Sequence, residues 1–145
     1  MIHRLVYSSR CADGVGEADV RDILETARRE NAKTDITDIL FLVNNEFLQV
    51  LEGPLSVYGL FDRISKDPRH HSVELHVEEE TPNRYFSQWS MAYALLDDKQ
   101  TKRIGGSFNL SSAAEFISYL KRPDAYLSEI FKSIITDIQR QAKEG

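Results

Sequence analysis

Two helical stripes constrain this fold more than any other feature of its 145 residues. Val20, Ile23, Leu24 and Ala27 recur at helical spacing, and so do Val57, Leu60, Phe61 and Ile64. Each stripe is apolar on one side only, so each helix needs an apolar sheet face to cover it. The surrounding segments supply that sheet. The pattern predicts a strand over residues 2–9, a loop over 10–16 with Asp13-Gly14 as its turn, and a helix over 17–31. Strands follow at 37–43 and 46–51, joined by an Asn44-Asn45 hairpin, because Asn tolerates positive φ. Gly53-Pro54 starts the second helix with Pro in its first turn, and Asp67-Pro68 ends it. Val73, Leu75 and Val77 alternate with polar residues, which predicts a half-buried strand over 72–79. After a turn at 81–84, residues 85–95 form a fifth strand. The order β-α-β-β-α-β-β implies an α+β, ferredoxin-like architecture: a mainly antiparallel sheet with two helices on one face.

Residues 1–96 read as one domain and 97–145 as a C-terminal extension of different character. Residues 97–106 are polar and loop-like. Ser112 and Glu115 make a capping box for a short helix bearing Phe116, Ile117 and Leu120. Pro123-Asp124 opens a last helix whose stripe, Leu127, Ile130, Phe131, Ile134 and Ile138, must be buried on the sheet's free face or on another subunit.

Composition removes several function classes. A net charge of −5 argues against a nucleic-acid surface, which carries a basic patch. No apolar run is long enough for a membrane span or a signal peptide, so a soluble, cytoplasmic protein is expected. The lone Cys11 excludes an internal disulfide and, with only distant histidines, makes no nucleophile pair. The four histidines, His3, His70, His71 and His76, show no zinc-site spacing. Gly14-Val15-Gly16 is too short for a phosphate loop, and the acidic run 78–80 reads as a solvated strand end.

What remains is a set of polar and soft side chains in unusual places. Gln49 sits mid-strand in FLQVLEG where an apolar residue is expected. Tyr7 lies in the first strand, LVYSS. Taken singly, these are a satisfied core glutamine and an ordinary strand tyrosine. Together, on neighbouring strands, phenol and carboxamide form a two-state element, because an amide both donates and accepts. Asn31 closes the first helix, where a C-terminal cap explains it as well as a ligand contact does. Trp89 and Met91 share one face of FSQWSMAY, a pattern that by itself means core or interface. Arg63, Asp67, Arg69, His70 and His71 cluster at the end of the second helix, where a solvated helix end is the plain reading.

The landmarks LVYSS, a helix ending in Asn31, ITDILF, FLQVLEG, RISKDPRHH and FSQWSM occur in the order and spacing of the BLUF family, and residues 1–95 resemble that family throughout. The resemblance implies a blue-light sensor holding flavin non-covalently between two helices over a sheet. FAD is the expected cofactor; FMN or riboflavin would satisfy the same contacts, because the family's sites hold mainly the ring. By this resemblance Tyr7 donates an electron and a proton to excited flavin, and Gln49 rearranges between Tyr7 and the flavin edge. Asn31 holds the pyrimidine edge, Ile23 packs on the ring, and Arg63, Asp67 and His70 line the flavin and its tail. Trp89 or Met91 exchanges with Gln49 and passes the signal to the last strand. Two positions depart from the pattern. Asp38 follows Ile36-Thr37 where the family usually has Gly, and Glu30 precedes Asn31 where many members carry His or Asn.

A photoswitch rather than an enzyme is therefore expected, signalling through a homo-oligomer or a separate protein partner, with neither nucleic acid nor membrane involved. Two alternatives remain at this point: a non-photic flavin or redox protein of the same fold, and a ferredoxin-like interaction or small-molecule module without flavin.

Overall fold

The computed structural model describes residues 1–43, 45–84 and 92–95. Among these, the elements run β1 (Ile2–Cys11), α1 (Glu17–Thr34), β2 (Thr37–Val43), β3 (Glu46–Gly53), α2 (Ser56–Ser65), β4 (His70–Thr81) and β5 (Ala92–Leu95). The strands form one sheet in the order β4-β1-β3-β2-β5. The first four pair antiparallel, and β5 pairs parallel to β2, Ile39 opposite Ala92. The expected ferredoxin-like α+β fold is present. No helix among the described residues is long and apolar enough to cross a membrane.

The helical stripes pack as their spacing requires. Val57 of α2 is buried with Leu5, Tyr7, Ile36 and Leu51, and Leu60, Phe61 and Ile64 pack around them. Leu24 of α1 is buried with Leu40 and Phe47, flanked by Val20, Ile23 and Ala27. Both helices therefore cover one sheet face, each with its own core cluster, and a seam is left between them.

Three local features differ from the sequence expectation. Helix α1 does not stop at Asn31. It runs one turn further, and Asp35 ends it in the left-handed conformation (φ 57°), the cap donating its N–H to the Asn31 carbonyl. Thr34 makes that extra turn feasible, its hydroxyl donating to the Glu30 and Asn31 carbonyls at 3.2 and 3.3 Å. Helix α2 begins two residues after Pro54, whose carbonyl accepts the Val57 N–H at 3.0 Å. Strand β4 is not a regular alternation either. Val77 pairs with Val6 but Leu75 pairs with Tyr7, so one step of β1 meets two of β4, and a second shift falls between Ser8 and Arg10. Ser72 has positive φ (56°) within that stretch. These bulges turn Val77 to the face opposite the helices and leave Leu75 42% exposed on the edge strand. The hairpin turn is as expected at Asn45, whose φ is 65°.

Gly53, at the end of β3, lies close against Val57 of α2 and the Asp35 cap of α1. A Cβ there would lie 3.1 Å from the Asp35 carbonyl oxygen, 3.0 Å from Ile36 Cγ1 and 3.2 Å from Val57 Cγ1. Gly59, in α2, has nothing within 4 Å. Urea denaturation is expected to separate them: Gly53→Ala loses about 1–3 kcal/mol through overpacking, while Gly59→Ala gains about 0.5–1 kcal/mol from helix propensity.

Candidate functional site

Between α1 and α2, above β1, β2 and β3, lies a cavity of about 260 Å³. Its walls are Ile23, Ala27, Leu40, Phe47, Leu60 and Ile64, and its polar lining includes Asn31, Asp38 and Gln49. Of the residues singled out from the sequence, Ile23, Asn31, Gln49, Arg63, Asp67 and His70 all line it. Tyr7 stands directly behind, paired across the sheet with Gln49. Trp89 and Met91, and the whole extension 97–145, lie outside the described residues.

The polar groups are connected. Tyr7 donates its hydroxyl to Gln49 Oε1. Gln49 Nε2 donates to both carboxylate oxygens of Asp38, at 2.8 and 2.7 Å. Asn31 Nδ2 donates to Asp38 Oδ2 at 3.3 Å. Phe61 steadies the phenol edge-on, ring centroids 4.9 Å apart. Asn31 is thus not a helix cap. The extra turn of α1 frees its side chain to point inward, where it is 1% exposed. Asp38, flagged in the sequence only as a departure, is equally buried and joins the two carboxamides.

Burial decides the protonation behaviour of this group. It raises the Tyr7 phenol well above its ordinary value, with a further push from the Asp38 charge. Asp38 rises from 3.8 to about 7: desolvation raises it, and the hydrogen bonds from Gln49 and Asn31 pull it partly back.

At the mouth, Arg69 grips Asp67 (Nε to Oδ1 3.0 Å, Nη2 to Oδ2 2.6 Å) and reaches Asp22 at 2.9 Å. That grip lowers the Asp67 carboxyl. His70 is tied at both ring nitrogens. Nε2 faces the Ile64 carbonyl, which can only accept, so Nε2 carries a proton; Nδ1 meets Ser9 Oγ at 2.7 Å. His70 therefore holds the end of α2 against β1 as well as lining the cavity. Arg63 is exposed and makes no ion pair among the described residues, which leaves its guanidinium available for an anion. Glu30 lines the rim but is offset by Arg29 at 3.3 Å and Lys33 at 3.8 Å. Sequence reasoning missed Arg69 as a lining residue because a solvated helix end explained it, and missed Ser9 because small hydroxyls carry no pattern.

An apolar slot with carboxamides at its inner edge and a free guanidinium at its mouth fits a flat heteroaromatic ring carrying an anionic tail. The comparisons agree. The sequence pattern of the family described as sensors of blue light using FAD matches residues 2–92, and the chain belongs to this family, BLUF. It is 38% identical over 92 residues to the photoactivated adenylate cyclase subunit beta of Euglena gracilis, covering 62% of this chain and 11% of that protein. It is 30% identical over 92 residues to the blue light- and temperature-regulated antirepressor BluF of Escherichia coli, covering 63% and 23%. Among solved structures, the dark state of the BLUF protein BlrB superposes with a TM-score of 0.68 at 30% identity, covering 88% of this chain and 97% of that one. The chain thus spans only a small part of the curated relatives it matches. It is a blue-light flavin sensor domain whose family uses FAD.

The buried carboxylate has a measurable consequence for stability. Folding raises the Asp38 pKa, so the native state binds that proton more tightly than the unfolded chain. Its stabilising effect is complete below 3.8 and is lost as pH rises through about 7. Thermal melts at about pH 5 and about pH 9 should show wild type losing more stability than Asp38→Asn, by a few kcal/mol at most.

Proposed function

We propose that this chain is a blue-light photoswitch in which Tyr7 and Gln49 form the switching pair, and that it has no catalytic activity of its own. The observation that carries the proposal is the Tyr7 hydroxyl bonded to the Gln49 carboxamide, with Gln49 itself in the cavity lining. Bound FAD would supply the light absorption and the oxidising excited state. Ile23 would flank the ring, Asn31 and Gln49 would meet its polar edge, and Arg63 would face the phosphates of the tail. Tyr7, buried and with its proton held firmly, yields an electron and the Oη proton and then recovers both. Gln49 is left with its donor and acceptor ends rearranged, which is the lasting change.

Visible spectra of the purified protein, dark and under blue light, test this directly. Wild type should show a flavin spectrum that shifts reversibly to the red. Tyr7→Phe should bind flavin and show no shift. A shift that persists in Tyr7→Phe overturns the assignment, and a colourless protein that does not take up added FAD favours an interaction module instead.

For output, we read residues 1–96 as the sensor and 97–145 as the coupling element to a second copy or a separate cytoplasmic protein. Two features support this. Strand β5 pairs with β2, which carries Asp38, and begins immediately after Met91. On the sheet face opposite the helices Val6, Ile39, Phe41, Leu48 and Val50 are all buried, and an apolar face of this kind is what the Leu127–Ile138 stripe requires. The named functions of the relatives, a cyclase subunit and an antirepressor, are consistent with one sensor serving different outputs. Truncation within residues 97–106 should abolish light-dependent association, read by size-exclusion chromatography in dark and light. Unchanged association after truncation would remove the extension from the pathway.

A further inference from the structure

Asp38 stands where the family usually has glycine, and it gives this site a partner for Gln49 that a glycine cannot provide. The hydrogen-bond chain has a direction. The Tyr7 phenol donates to Gln49 Oε1, and Gln49 Nε2 donates to the Asp38 carboxylate at 2.7 and 2.8 Å. An amide turned end for end would aim Oε1 at the carboxylate oxygens, lone pair against lone pair, in a buried site. That orientation is closed while Asp38 is ionised. A protonated Asp38 has an O–H to donate, and the reversed Oε1 accepts it while Nε2 donates to Tyr7 Oη.

We propose that Asp38 is the positioning residue for the Gln49 switch: as a carboxylate it holds the amide with its oxygen toward Tyr7, and by taking up a proton it opens the reversed orientation. The inference rests on the photoswitch reading above and deepens it. The exchange is balanced: the Nε2–H donation to the carboxylate gives way to Asp38 O–H···Oε1, the Tyr7 O–H···Oε1 bond gives way to Nε2–H···Oη, the added proton comes from solvent, and no electrons move. Asn31 Nδ2, at 3.3 Å, stays bound to Asp38 in either state and fixes its position. Burial places the Asp38 proton equilibrium at about 7, so the device operates near neutral pH.

Among the described residues, the other charged and titratable groups around this cavity are Tyr7 on β1, Glu30 on α1, Arg63 on α2, and Asp67, Arg69 and His70 beyond α2. Asp67 is held ionised by Arg69. Asp38→Asn leaves Glu30 and His70 in place, so a pH dependence carried by either of them would survive that substitution.

The experiment uses the full chain with FAD bound, as wild type, Asp38→Asn and Glu30→Gln. Two quantities are followed against pH: the rate at which the light-induced shift decays in the dark, and the Gln49 side-chain amide resonances in the dark protein. In wild type, decay should accelerate about tenfold or more as pH rises through neutrality, the scale of one hydrogen bond to a charged group. The Gln49 amide resonances should move with the same midpoint. Both dependences should vanish in Asp38→Asn and persist in Glu30→Gln. A decay profile that survives Asp38→Asn, or that disappears in Glu30→Gln instead, overturns the proposal. Should wild type show no light-induced shift, the photoswitch reading fails. The Gln49 resonances then decide alone: titration supports Asp38 as the positioning group, and static resonances overturn it.

Discussion

Tyr7 meets Gln49 because β1 and β3 pair in one register, and the site has no other way to exist. In that register Tyr7 is opposite Gln49, Leu5 opposite Leu51 and Arg4 opposite Glu52. A slip of one residue would place Tyr7 opposite Leu48 or Val50 and turn one strand's entire set of side chains to the wrong face. Two devices hold it. On the helix side, Leu5, Tyr7 and Leu51 share one core cluster. On the other side, Arg4 and Glu52, 2% and 0% exposed, form an ion pair at 2.6 Å between residues that are register partners. Slippage would break this buried ion pair, which costs several kcal/mol. The β2–β3 hairpin then carries the register outward, setting Asp38 opposite Leu51 and Leu40 opposite Gln49.

The same register concentrates polar chemistry where a core would otherwise be apolar. Asn31, Asp38 and Gln49 are buried together, and each satisfies the others. Two neutral amides aimed at a carboxylate favour its charged form, while burial favours its neutral form, and burial outweighs the amides. An apolar residue at position 38 would leave Gln49 Nε2 without this acceptor, and a residue without a side chain would leave it for a ligand. Asp38 therefore ties the resting orientation of Gln49 to the protein itself, independently of what fills the cavity.

Much of this was legible in the sequence. Helical and strand periodicities gave the element order and the shared face of the two helices, because those depend on burial alone. The site residues were legible only as a family pattern, since Tyr7, Gln49 and Asn31 each have an ordinary explanation in isolation. What periodicity could not show is where backbone geometry overrides it. Asn31 looked like a helix end, but Asp35 takes the left-handed position and Asn31 turns inward. Val73, Leu75 and Val77 looked like one face, but a bulge splits them. The Arg4–Glu52 pair was invisible because charged residues in strands read as solvated, and its partners are 48 positions apart. Asp38 was visible as a departure, but its role depends on a hydrogen bond across two strands.

The position of β2 gives the proposed switch a mechanical consequence. This strand carries Asp38 on the helix side, pairs with the Gln49 strand along one edge and pairs in parallel with β5 along the other. Ile39 and Phe41, the residues of β2 that face away from the cavity, are register partners of Ala92 and Ala94. Both are fully buried, and close-packed interiors transmit displacement rather than absorb it. On the proposed reading, a change in the bonding of Asp38 alters the load on one face of β2, while its outer edge bears on β5. Light and proton uptake would then act on the same strand, one through Gln49 and the other through Asp38, and their effects on the output would be coupled rather than additive.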